Sequence, residues 1–121
     1  MNFDLTDDQQ QIRDAIQRIC TPFDADYWLR RDREGGFPDD FHRALAEAGW
    51  LGIAMPQEYG GAGLGITEAA LMMQTISATG AGLSGASAVH MNIFGLHPVV
   101  VFGHDEQEQR WAPALIAGRG T

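Results

Sequence analysis

Between Ala69 and His104 the chain carries no Asp, Glu, Lys or Arg. A helix on the surface of a free-standing domain normally keeps charge on its outer face. This stretch is interrupted by His90, Asn92, His97 and Pro98, which makes it too polar for a membrane span. Helices covered by protein on nearly all sides are therefore expected here. A chain of 121 residues has little spare mass with which to cover them. The domain is expected to sit against something else, and its stop at Gly118-Arg119-Gly120-Thr121 reads as the edge of a fragment of a longer chain.

Elsewhere the balance is that of one ordinary globular domain. Apolar residues make up 45% and charged residues 20%, which excludes disorder and fibrous repeats. Eight basic residues, all Arg, face sixteen acidic ones, for a net charge of −8. No basic surface is available for phosphate backbones, so no nucleic acid partner is expected. The lone Cys20 cannot form an internal disulfide, and a reducing setting is the default. The start MNFDLTDDQQ is acidic, the reverse of a targeting peptide. A cytoplasmic protein without membrane attachment is the expectation.

The periodicity predicts helices throughout. Thr6 and Gln9 form a capping box for a helix over 7–20, whose Ile12, Ala15, Ile16 and Ile19 share one face. A second helix is predicted over 22–34, opened by Thr21-Pro22 and stopped by Gly35-Gly36. A third runs over 38–48, with Phe41, Leu45 and Ala48 on one face and Gly49 after it. Residues 49–65 hold six glycines and Pro56 and read as a shaped loop. A fourth helix is predicted from Thr67 to about Thr79, then a turn at Gly80, Gly82 and Gly85, and a fifth helix over Ser87–Phe94. Val99–Phe102 reads as a short helix after Pro98, and a last helix covers 105–117. The fold class is all-α, an orthogonal or up-down bundle of about five to six helices.

Few residues carry chemistry. Gly60, Gly61, Gly63 and Gly65 lack the strand, spacing and nearby cation of a phosphate cradle and read as a packed loop. The histidines at 42, 90, 97 and 104 have no carboxylate or cysteine at ligand spacing, so no metal site is expected. Ser84 and Ser87 lie near His90 without a nucleophile elbow or orienting acid. Cys20, among isoleucines, reads as a core thiol. Met72, Met73 and Met91 could line an adaptable pocket or fill the core. His90 has two readings: a hydrogen-bonded core histidine, or a polar group on the wall of a ligand pocket.

Two stretches carry a resemblance. GWLGIAMPQEYGGAGLG (49–65) resembles the Pro-x-Glu-Tyr-Gly-Gly-x-Gly signature of the acyl-CoA dehydrogenase N-terminal domain. VHMNIFGLHPVVVFGHDEQEQRWAPALIAGRG (89–120) is similar to that domain's last segment, from its Pro through Phe-Gly to Glu-Gln-x-x-Arg-aromatic-x-Pro-x-Leu-x-x-Gly. FDLTDDQQQIRD (3–14) and the Asp-Arg-Glu-Gly-x-Phe-Pro pattern at 32–38 also fit, so the resemblance covers essentially the whole chain. It implies that residues 1–121 are an N-terminal helical domain, with a middle β-domain and a C-terminal helical bundle lying outside it.

In that family the full enzyme is an oxidoreductase of fatty acid metabolism. A carboxylate base removes the α-proton of an acyl-CoA thioester while the β-hydride goes to FAD. The base and most flavin contacts belong to the other domains, so this chain alone is expected to have no catalytic residue, to be inactive and to hold no flavin tightly. The N-terminal domain supplies a wall and the floor of the acyl pocket. Aligned through Pro98, the pocket-facing positions implied are Ser87, Ala88, His90, Met91 and Phe94. On the helix itself, His90 is expected to be more exposed than Val89 and Ile93. The parent is expected to be a homo-oligomer. Two other readings stand beside this one: a flavin monooxygenase or nitroalkane oxidase on the same scaffold, and a stand-alone helical interaction module.

Overall fold

A computed structural model describes residues 2–95 and 97–119, with Asn92 described by its backbone alone. Thr121, the last residue of the expected domain, lies outside the described residues. Among them the secondary structure is entirely helical. Helix α1 spans Asp7–Cys20. The Thr6 hydroxyl accepts from the Gln9 amide at 3.1 Å, and the Gln9 side chain accepts from the Thr6 amide at 3.0 Å. The capping box read from the sequence is complete. Ile12, Ile16 and Cys20 form its buried stripe, at a spacing of four.

Helix α2 covers Ala25–Glu34 and starts three residues later than expected. The amide of Phe23 is taken by the Cys20 carbonyl in a turn, and the Asp24 carboxylate accepts from the Tyr27 amide at 3.0 Å. A carboxylate cap satisfies an orphan donor, which Pro22 cannot do. Helix α3, Asp39–Glu47, buries Phe41, His42 and Leu45. Phe41 meets the rings of Phe23 and Trp28 edge to face, with centroids 5.5 and 5.0 Å apart. This aromatic cluster, Ile16, Leu45, Leu51 and Ile53 make the centre of the core.

The glycine loop consists of two single 3₁₀ turns, Trp50–Gly52 and Gln57–Tyr59, folded back on each other. The amides of Gly61, Ala62, Gly63 and Leu64 donate to the carbonyls of Pro56, Gly52, Met55 and Ile53, at 2.8–3.0 Å. Those amides are spent within the loop, so none is left to cradle a phosphate. The loop also rests on the helix over Asp105–Ile116: Met55 packs with Leu115 and Ile116, and Tyr59 lies against the same cluster.

Helix α4 spans Ile66–Ile76 and packs along α1. It ends in a π-type turn over Ser77–Ala81, where Gly80 has φ 106°. Helix α5 then runs over Gly82–Phe94, five residues longer at its start than expected. Gly85 does not belong to a turn. It lies buried inside α5, where an added Cβ would stand 2.4 Å from the Ala81 Cβ and 3.0 Å from Ile76. A glycine read as a breaker is here a point of close helix approach. Helix α6 covers His97–Phe102 and α7 covers Asp105–Ile116.

The uncharged segment is only half covered. Thr75, Ile76, Ala88, Val89 and Ile93 are buried. Leu83, Met91, Val101 and Phe102 stand 87%, 70%, 54% and 83% exposed. One side of α5 and α6 thus presents apolar side chains that the described residues leave bare.

Candidate acyl-pocket wall

Helices α4 and α5, joined by the π-type turn, leave an open groove of about 330 Å³ lined by Met73, Leu83, Ala86, Ser87 and His90. Leu83, Ser87 and His90 follow at spacings of four and three, and Ala86 lies four before His90, so one stripe of α5 forms the wall. Met73 closes it from α4. Polar groups are few: one hydroxyl and one imidazole in an apolar lining, the usual proportion in a small-molecule site.

Each implied position has a distinct place. Ser87 and His90 are exposed and line the groove. His90 lies beside the Phe94 ring at 5.2 Å between centroids, tilted by 49°. Phe94 itself is half-buried against the core. Met91 is exposed but is not part of the groove lining. Ala88 does not face the groove: it is buried in the core cluster with Val89 and Ile93. Position 88 turns away from 87 by a helical step of about 100°, toward the core cluster. The outward placement of His90 relative to Val89 and Ile93 follows the helical pattern. The side chain of Asn92 lies outside the described residues.

Leu83 and Ala86 were not legible as wall residues, because the helix was read from Ser87. A start at Gly82 would have put both on the His90 stripe. A wider groove of about 690 Å³ runs along α1 past Trp50 and Leu64. Asp8, Asp14, Arg18 and Glu68 line it, and none of the implied residues does. The α4–α5 groove is the site that unites Ser87 and His90.

Other titratable groups are structural. Burial pushes the Cys20 thiol up, against a smaller lowering effect of its hydrogen bond with Thr79. Burial lowers the His42 imidazole, opposed by the nearby Asp39 carboxylate, and its ring lies 5.2 Å from Phe37. The Tyr59 hydroxyl is pushed up to about 12 by desolvation, by the charges of Glu108 and Glu58, and by its hydrogen bond with Glu108. Among the described residues no three His, Cys, Asp or Glu side chains converge as metal ligands. No described helix is long and apolar enough to cross a membrane.

Residues 6–119 match the family described as acyl-CoA dehydrogenase, N-terminal domain. The chain is 35% identical over 120 residues to a probable acyl-CoA dehydrogenase, YngJ, of Bacillus subtilis, covering 98% of this chain and 31% of that protein. It is 30% identical over 116 residues to a 3-sulfinopropanoyl-CoA desulfinase of Paraburkholderia xenovorans, covering 96% of this chain and 30% of that protein. Among solved structures, one described as an electron transferring flavoprotein of Acidaminococcus fermentans superposes with a TM-score of 0.83 at 30% identity, over 98% of this chain and 31% of that one. The chain spans about a third of the length of the curated relatives it matches. The chain belongs to the acyl-CoA dehydrogenase family as its N-terminal domain.

Proposed function

We propose that this domain forms one wall of the acyl pocket in an FAD-dependent enzyme that introduces an α,β double bond into acyl-CoA thioesters. The observation that carries the reading is the α4–α5 groove: apolar, uncharged, with Ser87 and His90 exposed on a helix face that no other described residue covers. Relatives named as a dehydrogenase and a desulfinase share the acyl-CoA thioester as the common chemical element.

The groove does not fit FAD. No charged residue lines it, whereas a dinucleotide pyrophosphate needs a cation or free amides at a helix start. In this reading the groove supplies neither the FAD site nor the carboxylate base. What these residues do is bind and exclude water. Met73, Leu83 and Ala86 receive methylene groups, and Met91, Val101 and Phe102 offer the apolar face on which the middle and C-terminal domains dock. The parent in this reading is a cytoplasmic homo-oligomeric enzyme, in which this domain alone has no activity.

The test is made on a full-length protein that carries this domain. Anaerobic addition of an acyl-CoA should bleach its flavin absorbance, and turnover with an electron acceptor should yield the enoyl-CoA. A flavoprotein that bleaches with a nitroalkane, or with a reduced nicotinamide and oxygen, and with no acyl-CoA would overturn the reading in favour of an oxidase or monooxygenase.

A further inference from the structure

The groove has a polar pair that an alkyl chain cannot satisfy. Ser87 and His90 lie one helical turn apart and both line it. Neither the hydroxyl nor the imidazole has a hydrogen-bond partner among the described residues. The Phe94 ring beside His90 limits where the imidazole can turn. Once the rest of the parent covers this face, both groups leave water. A buried donor or acceptor without a partner carries its full desolvation cost, whereas a ligand oxygen at hydrogen-bond distance removes it.

The charge pattern narrows the ligand. Residues 69–104 hold no Lys or Arg, and the groove lining includes no permanent cation. A carboxylate at the end of the acyl chain would be stripped of water without a fixed counter-charge. A hydroxyl or ketone oxygen needs only the donors and acceptors that Ser87 and His90 provide, since each can act as either.

Resting on the reading of the groove as an acyl-pocket wall, we propose that the preferred substrate is an acyl-CoA whose tail carries a neutral oxygen, a hydroxyl or ketone, received by Ser87 Oγ and the His90 imidazole. Met73, Leu83 and Ala86 hold the carbon chain leading to it.

The experiment measures kcat/KM of the full-length enzyme on matched acyl-CoA thioesters of graded length ending in methyl, hydroxyl or carboxylate. The hydroxyl series should exceed the methyl series by about tenfold at the best length, the size of one satisfied buried hydrogen bond, and the carboxylate series should rank last. His90→Phe should collapse the hydroxyl-to-methyl ratio to about one, and His90→Gln, which keeps a donor and an acceptor, should retain most of it. If His90→Phe does not fold, Ser87→Ala reads the same ratio and should lower it. A wild-type enzyme that prefers the methyl or carboxylate series, or a ratio unchanged in the variant that folds, overturns the inference while leaving the acyl-CoA reading intact. Absence of flavin bleaching with every acyl-CoA overturns both.

Discussion

Gly61→Ala probes a tight backbone approach inside the glycine loop. A Cβ at this position would lie 2.3 Å from the Met55 carbonyl oxygen and 2.6 Å from its carbon. The obstacle is backbone, so no side-chain rotation relieves it. The same carbonyl accepts from the Gly63 amide at 2.8 Å, and moving it strains the hydrogen bonds that fold the loop onto itself. Overpacking of this kind costs about 1–3 kcal/mol, and a broken hydrogen bond adds about 1 kcal/mol. A total near 3 kcal/mol corresponds to a loss of about 12 °C in Tm for a domain of this size. Gly60→Ala is the control. Its Cβ meets nothing within 4 Å, but its φ of 94° lies in the left-handed region, which costs about 1–2 kcal/mol. Thermal unfolding of the two variants beside the unmodified chain separates crowding from conformational strain. If Gly61→Ala melts within a few degrees of the parent sequence, or above Gly60→Ala, the close approach to Met55 does not hold the loop.

Removing the α1 cap by Thr6→Ala should cost about 1 kcal/mol, read as a lower urea midpoint with an unchanged m-value. Tyr59 should ionise near pH 12 in an ultraviolet titration of the folded chain, and Glu108→Gln should bring that value down toward 10. Because the folded pKa is raised, the stability Tyr59 contributes is complete below pH 10 and lost as pH climbs through about 12. Tyr59→Phe should flatten that part of the Tm-against-pH curve. Expressed alone, the chain should self-associate through exposed Leu83, Met91, Val101 and Phe102, with a sedimentation coefficient that rises with concentration.

The fold class and most helices could be read directly because their signals are local. The Thr6–Gln9 box, the Phe41–Leu45 spacing and the Asp105-Glu106 start each act within one turn. The errors lie where a distant contact decides. Gly82 and Gly85 look like breakers in one dimension. In the fold, α5 begins at Gly82 and the missing side chain of Gly85 admits Ile76 and Ala81. The expected start at Ser87 also left Leu83 and Ala86 off the stripe that lines the groove, whereas Ala88 came from the family resemblance and packs in the core. The outward turn of His90 relative to Val89 and Ile93 was legible from helical spacing, while its place on a pocket wall is what the family resemblance implies. What it meets depends on residues that no periodicity reports.

The partnership of α1 with α4 also orders events during synthesis. Helix α1 finds its main cover on Ile66–Ile76, so Ile12, Ile16 and Cys20 emerge from the ribosome well before the surface they will occupy. Until α4 follows, an isolated helix of 14 residues is marginal in water. The closure between the two segments carries an entropic cost that grows slowly with the intervening length. The folded-back glycine loop shortens that effective span, since its hydrogen bonds join 52–56 to 61–64 without waiting for either helix. A nascent chain released before α4 would therefore expose the α1 stripe to chaperones and proteases, while one extended through Ile76 can already bury it.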